Sequence, residues 1–387
     1  MRFPEFKGEW ISCKVGDYGK IITGSTPPTS DNTNYADGTH LWASPVDLGQ
    51  TKYVIDTQTK LSSIGFGKTR KLPAGSVLIT CIGSTIGKMG MAATEMSTNQ
   101  QINSIVVDSQ YDNNFVYYAL QSRFPRYLTS VAVQAVPIMS KSSFEKLQNY
   151  RTALEEQKKI GALLNLIDER ISTQIRIIDK LQSLMKGITN RIIEDLISNA
   201  ESVPFSEIYQ MAGEGGTPDT TKTQYYEEGT IPFIKIDDLS SKYLTKNKDF
   251  ITEQGLQKSS AWIIPENSLI YSNGATIGAA SINTYKVATK QGILGIVPKS
   301  MISVEYLFYL VTSTFFDSQV HRIITHGTMA TAYLKDINNI KVPLPCMNEQ
   351  RRIVTGLASL SDKIEIEQGI LFNLQKQKRF LLCKLFI

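Results

Sequence analysis

The chain says much of itself twice, and any fold it adopts must make use of the copy. Gly24-Ser25-Thr26-Pro27 returns 191 positions later as Gly215-Gly216-Thr217-Pro218. Tyr35, Gly38 and Trp42 return as Tyr226, Gly229 and Phe233, and Asp47-Leu48 returns as Asp238-Leu239. Thr85-Ile86-Gly87 returns as Thr276-Ile277-Gly278, and Glu156-Gln157-Lys158-Lys159-Ile160 as Glu349-Gln350-Arg351-Arg352-Ile353. A single internal duplication predicts a pseudo-two-fold molecule with two similar working surfaces, and hence a duplicated or bipartite ligand.

The repeat is clearest in its helical parts. Apolar residues fall at Ile160, Leu164, Ile167, Ile171, Ile178, Leu181, Met185, Ile188 and Ile192, in steps of four and three, with one polar interruption at Gln174. The C-terminal segment gives Ile353, Leu357, Leu360, Ile364, Leu371, Leu374, Leu381 and Leu385, interrupted at Glu367. A shift of 193 superimposes the two seams, and Lys378, in the place of Met185, breaks only the second. This is a heptad pattern. Each stripe runs for about 30 residues, or roughly 45–50 Å of helix. That exceeds the radius of a domain of about 140 residues, so the helices must project and meet something. Two matching seams in one chain are best satisfied by an antiparallel coiled coil with each other. Polar residues in the seam would fix its register.

The remaining sequence reads as short strands and turns, giving an α+β chain. The expected organisation is a first β-rich domain over 1–150, a central helical region over 151–200, a second β-rich domain over 201–346, and a C-terminal helical region over 347–387. Buried strands are expected at 77–82, 102–107, 268–271 and 292–297, and short helices at 115–121 and 306–312. A hydrophobic fraction of 42% and a charged fraction of 20% are those of a soluble globular protein. No run of about 18 apolar residues predicts a membrane span, and the opening Met1-Arg2-Phe3-Pro4-Glu5-Phe6 has no signal-peptide character. Cys13, Cys81, Cys346 and Cys383 are far apart and lack zinc-like spacing, so they read as small hydrophobes of a cytoplasmic protein. A net charge of +5 is compatible with nucleic acid without pointing to it.

No catalytic signature repeats between the halves. Gly83-Ser84-Thr85-Ile86-Gly87-Lys88-Met89 is one residue short of a phosphate loop and has Met89 where a magnesium-binding hydroxyl belongs. Its counterpart Gly274-Ala275-Thr276-Ile277-Gly278-Ala279 lacks the lysine, so both read as turns between strands. His40, His321 and His326 make no metal set. What remains is binding. Polar and basic loop residues include Lys68, Thr69, Arg70, Lys71, Ser84, Thr85, Lys88, Asn99, Gln100 and Gln101 in the first half. In the second they include Lys222, Lys242, Lys246, Lys248, Asn273, Thr276, Lys290, Gln291, His326 and Thr328. Lysine and arginine suit phosphates, and Asn, Gln and Arg suit base edges in the major groove. The glycine-bounded turns and the Gln101/Gln291 match are the best candidates.

Taken in order, the Gly-x-Thr-Pro-like openings at Gly24 and Gly215, the Thr-Ile-Gly turns, the Gln101/Gln291 positions and the two Glu-Gln-basic-basic-Ile helix starts carry a resemblance. So do the opening Arg2 to Trp10 and the approach Val342-Pro343-Leu344-Pro345 to the second helix. The chain resembles the specificity subunits of type I restriction-modification systems over essentially its whole length. The first helix start lacks the prolines of the second and is expected to bend differently. The resemblance implies two target recognition domains, each reading one part of a split double-stranded DNA site, with the coiled coil setting the unread spacer. It implies two methyltransferase subunits that use S-adenosylmethionine and restriction subunits that use ATP and Mg2+, with no cofactor and no catalysis on this chain. The competing expectations are a standalone two-headed DNA-binding protein, a fused methyltransferase, for which no cofactor loop or Asn/Asp-Pro-Pro-aromatic motif is found, and a scaffold without nucleic acid.

Overall fold

The computed structural model describes residues 2–131, 138–274, 276–325 and 330–386. The chain divides into two compact units, residues 1–177 with 367–387 and residues 178–366. In the first, a five-stranded sheet runs in the order Gly19–Thr23, Ile102–Val107, Val77–Thr80, Met89–Ala92 and Tyr53–Val54. All its pairings are antiparallel except the last. A three-stranded sheet orders Lys60–Leu61, His40–Ala43 and Ser97–Thr98, and Ile11–Lys14 pairs with Gln148–Arg151.

The second unit repeats this strand for strand. Its five-stranded sheet is Tyr209–Glu214, Ile293–Pro298, Leu269–Ser272, Ala280–Asn283 and Tyr243–Leu244. Asp249–Ile251, Ile231–Ile234 and Ala288–Thr289 form the three-stranded sheet, and Ser202–Pro204 pairs with Lys341–Pro343.

The central strands are apolar without alternation because both faces of the sheet are covered. Val77 and Ile79 point into the core that holds the head helix, while Leu78 points into a second core with Leu48, Leu72 and Ile102. Leu269, Tyr271 and Ile270 divide in the same way in the other unit. The head helix of the first unit is longer than expected, Asn113–Val131. In the second unit the same stretch is broken into Val304–Val311 and Thr314–Ile323. The break falls at Ser313, whose hydroxyl caps the second piece by accepting from the Phe316 amide.

The long helices are Leu154–Asn199, of 46 residues, and Met347–Leu385, of 39, about 69 and 58 Å at about 1.5 Å per residue. Both contribute to both units. In the first unit they run antiparallel, since Asp168 meets Lys378 at 2.7 Å while Gln174 donates to Glu367. Gln174 and Glu367 are the two polar interruptions of the seams, and each sits opposite the other. Ile160, Leu164, Ile167, Gln174, Ile178, Leu357 and Glu367 are buried. Ile171, Leu181, Ile353, Leu360, Ile364, Leu371, Leu374 and Leu381 are half-buried.

Ile188 departs from the expected seam. It is 39% exposed, and Thr189 and Ile193 are buried in its stead. The C-terminal helix makes the same shift, burying Leu382 and Phe386. A straight helix drifts by about 20° per heptad against a strict seven-residue repeat, so four heptads after Ile160 the inward face has moved on by one residue.

The shifted ends complete the heads. Leu382, Leu385 and Phe386 join the first unit's core with Ile160 and Leu164. Ile193 and Leu196 join the second unit's core, with Ile353 and Val354 against it. Phe386 packs edge-on against Trp10 and tilted against Phe115, with ring centroids 5.9 and 5.5 Å away.

Candidate nucleic-acid interface

In each unit three segments far apart in sequence are brought to one rim. The first is the Gly-x-Thr-Pro opening. In the first unit the Gly24 amide donates to Ile102 O at 3.0 Å and the Ser25 amide to Thr98 O at 2.8 Å. A Cβ on Gly24 would lie 2.0 Å from Asn99 O and 2.3 Å from Thr98 O, so only glycine lets the opening lie on the neighbouring strand end. Gly215 meets Thr289 O at 2.1 Å in the same way. The Tyr35 hydroxyl then donates to Pro27 O at 2.8 Å, and Tyr226 to Pro218 O at 2.5 Å, which fixes the loop beyond each proline.

The second segment is the glycine-bounded turn. Gly83 and Gly87 have φ of 93° and 91°, the left-handed region that glycine adopts without strain. Backbone donors do not converge there as in a phosphate loop, because the Gly87 amide is used by Thr80 O and the Lys88 amide by Thr85 O. Ser84 and Lys88 are exposed at the turn and Thr85 is half-buried. The third segment is Asn99 to Gln101. The Cys81 amide donates to Gln101 O at 2.7 Å, and Asn99 bonds both the side-chain oxygen and the amide of Gln101 at 3.0 Å. The Thr26 hydroxyl donates to Gln100 Oε1.

Arg70 belongs to this rim too, since its Nη1 donates to Thr23 O at 2.6 Å. In the second unit the Gln291 amide donates to the Thr217 hydroxyl at 3.4 Å, and Gly274 packs on Gly292. Thr276, Lys290 and Gln291 are exposed there.

Other candidates lie elsewhere. Lys68 pairs with Asp31 at 3.2 Å and Asn34 at 2.8 Å. The Thr33 hydroxyl, with the Lys68 ammonium, holds the Asp31 carboxyl below its ordinary range. Lys71 lies 5.0 Å over the Phe66 ring and Lys222 5.5 Å over Tyr225, while Lys246 is exposed. Asn273 is fully buried, donating to Ala332 O at 3.1 Å, so a base cannot reach it. Lys242 is drawn to the head helix, 3.1 Å from the Tyr309 hydroxyl. His326 and Thr328 lie outside the described residues.

Sequence reasoning passed over Lys52, which corresponds to Lys242. It is buried, and its ammonium is held by Asn114 and Asn165 at 2.6 Å and by the Tyr118 hydroxyl at 3.2 Å. Burial, against the attraction of Asp168, pushes it down to about 8. The equal spacing of Lys52-Tyr53 and Lys242-Tyr243 was the available signal.

The helix starts also acquire a reason. Gln157 is buried, donating to Thr152 O at 2.7 Å and accepting from the Asp112 amide at 3.1 Å. Gln350 donates to Pro345 O at 2.9 Å and accepts from the Ser303 amide at 2.8 Å. Each glutamine thus stitches a long helix to the segment leading into the head helix. The two starts make the same bond five residues back despite the missing prolines. Glu156 differs from its exposed counterpart Glu349, being buried in a two-pronged pair with Arg2 at 2.7 Å.

Comparison with known proteins agrees with this architecture. The family model described as type I restriction modification DNA specificity domain matches twice, over residues 7–183 and 197–376. The type I restriction enzyme MjaIX specificity subunit of Methanocaldococcus jannaschii is 23% identical, over 97% of this chain and 92% of that one. The EcoR124I/EcoR124II specificity subunit of Escherichia coli is 28% identical over 46% of this chain and 49% of its own. Among solved structures, the type I system S subunit from M. genitalium matches with a TM-score of 0.57 at 17% identity, over 98% of this chain and 96% of that one, which shows a shared fold.

Proposed function

Because the chain belongs to the type I restriction-modification DNA specificity family, we propose that its two recognition domains read unlike halves of a split double-stranded DNA site, with the helix pair setting the unread spacer. The chain is the recognition component of such a system and not its catalyst. The observation that carries the finer reading is the duplicated rim with different side chains on the same frame. Lys88, Gln100 and Gln101 stand on the first, and Ala279, Lys290 and Gln291 on the second. Equal frames give equal modes of approach, while unequal side chains give unequal base readout.

The partners that follow are double-stranded DNA, two methyltransferase subunits, one to each half, and restriction subunits. S-adenosylmethionine, ATP and Mg2+ belong to those partners. Leu166, Leu184, Ile366 and Phe380 are exposed on the long helices, and large apolar side chains left bare in this way support docking of other subunits there. One solved structure of similar fold, with a TM-score of 0.56, is described as bearing on complex assembly of the type I system. Among the described residues no helix is long and apolar enough to cross a membrane. A cytoplasmic location follows from the proposed partners and their DNA.

Methylome sequencing of a host carrying the complete system tests the reading. Two different half-sites at a fixed separation are expected, and a short continuous or symmetric site would overturn it. Inserting one heptad after Gln174 and another after Glu367 lengthens the helix pair by about 10 Å. At about 3.4 Å per base pair the spacer should grow by about three base pairs with both half-sites unchanged. An unaltered spacer would remove the helices from that role. Co-purification with a methyltransferase separates this reading from a standalone DNA-binding protein.

A further inference from the structure

The contacts around Lys52 link four segments of the first unit. Lys52 adjoins the sheet edge Tyr53–Val54, Asn114 and Tyr118 stand on the head helix, and Asn165 stands on the central helix. The Tyr118 hydroxyl also donates to Asp168 at 2.7 Å, and Asp168 pairs with Lys378 of the C-terminal helix at 2.7 Å. The side chains of Asp168 and Lys378 are only 14% and 15% exposed, so this pair is mostly out of water, where breaking it is far more costly than at a surface. One polar chain therefore runs from the head's sheet edge, through the head helix, to both long helices.

Among the described residues the second unit keeps the frame without the buried ion pair, and Tyr309 hydrogen-bonds Ser361 where Tyr118 meets Asp168. Lys242 and Tyr309 reproduce Lys52 and Tyr118, at 3.1 Å. The places of Asn114, Asn165, Asp168 and Lys378 are taken by Glu305, Ala358, Ser361 and Met185.

We propose that Lys52, Asp168 and Lys378 are positioning residues that hold the first recognition head on the helix pair through a charged network, while the second head has Ser361 and Met185 where that network has its ion pair. The two heads then respond differently to pH. Lys378 pairs with Asp168 directly and Lys52 reaches it through the Tyr118 hydroxyl. The groups facing Lys52 are Asp112, Asp168, Glu169, Lys378 and the hydroxyls of Tyr53, Tyr117 and Tyr118. With the folded value near 8 and the ordinary value 10.5, the unfolded chain binds more protons between those limits. Stability of this contact therefore rises as pH climbs through about 8, because the buried charge and its repulsion from Lys378 are relieved. A neutral amine still donates to both amide oxygens. The half-site consequence rests on the proposed function, but the structural one does not.

The test is hydrogen exchange by mass spectrometry on the full chain at pH 7 and 9, corrected for intrinsic rates. Peptides from 154–177 and 367–386 should gain up to about tenfold protection at the higher pH, the linkage factor for one such group. Peptides from 178–199 and 347–366 should change by less than about twofold. Lys52→Arg keeps a charge that does not titrate in this range and should abolish the response, as should Lys52→Met, whereas Lys242→Met should leave it intact. An equal response in both units, or one that survives Lys52→Arg, overturns the proposal. In the complete system, Lys52→Arg should relax discrimination at one half-site only. If exchange behaves as expected and discrimination does not, the positioning network stands and the reading of the heads fails.

Discussion

Replacing Phe386 by alanine isolates the contribution of the C-terminal helix end to the first unit. The ring is 8% exposed, with its centroid 5.9 Å from Trp10 and 5.5 Å from Phe115. Truncating a buried phenylalanine costs about 3–5 kcal/mol, and the lost ring contacts place this site in the middle of that range. A unit of roughly 200 residues loses about 2–4 °C in Tm per kcal/mol, so its transition should fall by about 10 °C. The repeat supplies the control, because Ile193, its equivalent in the first copy, occupies the matching place in the second unit's core and is 1% exposed. Ile193→Ala should lower the second unit's transition by a comparable amount and spare the first. Pulse proteolysis in urea, with fragments assigned by mass spectrometry, follows each unit separately. If Phe386→Ala weakened residues 178–366 as much as the first unit, or weakened neither, the helix end would not be part of the first head's core.

Gly215→Ala should destabilise the second unit and abolish reading of its half-site, because the new Cβ would meet Thr289 O at 2.1 Å; melting and methylation at each half-site measure both. Although burial opposes it, the Arg2 pair and the Thr152 hydroxyl bring the Glu156 carboxyl below its ordinary 4.5. Its contribution is therefore present above pH 4.5 and lost as pH falls through the folded value. Glu156→Gln should flatten the acid limb of the first unit's stability profile, as measured by urea titration from pH 6 to 3.

The helix pair was legible because periodicity is a local signal: the spacing from Ile160 to Leu181 already says which face is buried. It misplaced Ile188 because a strict heptad ignores the drift of a straight helix. The rims were half legible. Gly24 and Gly215 could be recognised as repeated, but the reason they must be glycine is the approach of a strand end more than 70 residues away. Asn273 was misread because asparagine in a glycine-rich stretch has the composition of an exposed turn, while its amide is spent on Ala332 O. The Lys52 network was not legible, because its members come from residues 52, 114, 118, 165, 168 and 378, and no pattern in the sequence joins them.

The same bookkeeping of cores bears on what a half-chain can do. Residues 1–200 contain the first head and the whole central helix, but lack Leu382, Leu385 and Phe386, which close that head's core. Alone, this fragment would expose Trp10, Phe115 and Leu164 to water, at about 25 cal/mol per Å2 of apolar surface left uncovered. It does carry the repeat-equivalent closing face, Thr189, Ile192 and Ile193, at the far end of its own helix. That end cannot fold back onto its own head, because a continuous helix of 46 residues separates them. It can reach the head of a second copy if two central helices pair antiparallel, with Gln174 meeting Gln174 in place of Glu367. The fragment should therefore be a dimer, folded at micromolar concentration and losing helix on dilution. Analytical ultracentrifugation with circular dichroism measures both. A fragment that stays monomeric and melts cooperatively would show that the first head closes its core without a second long helix.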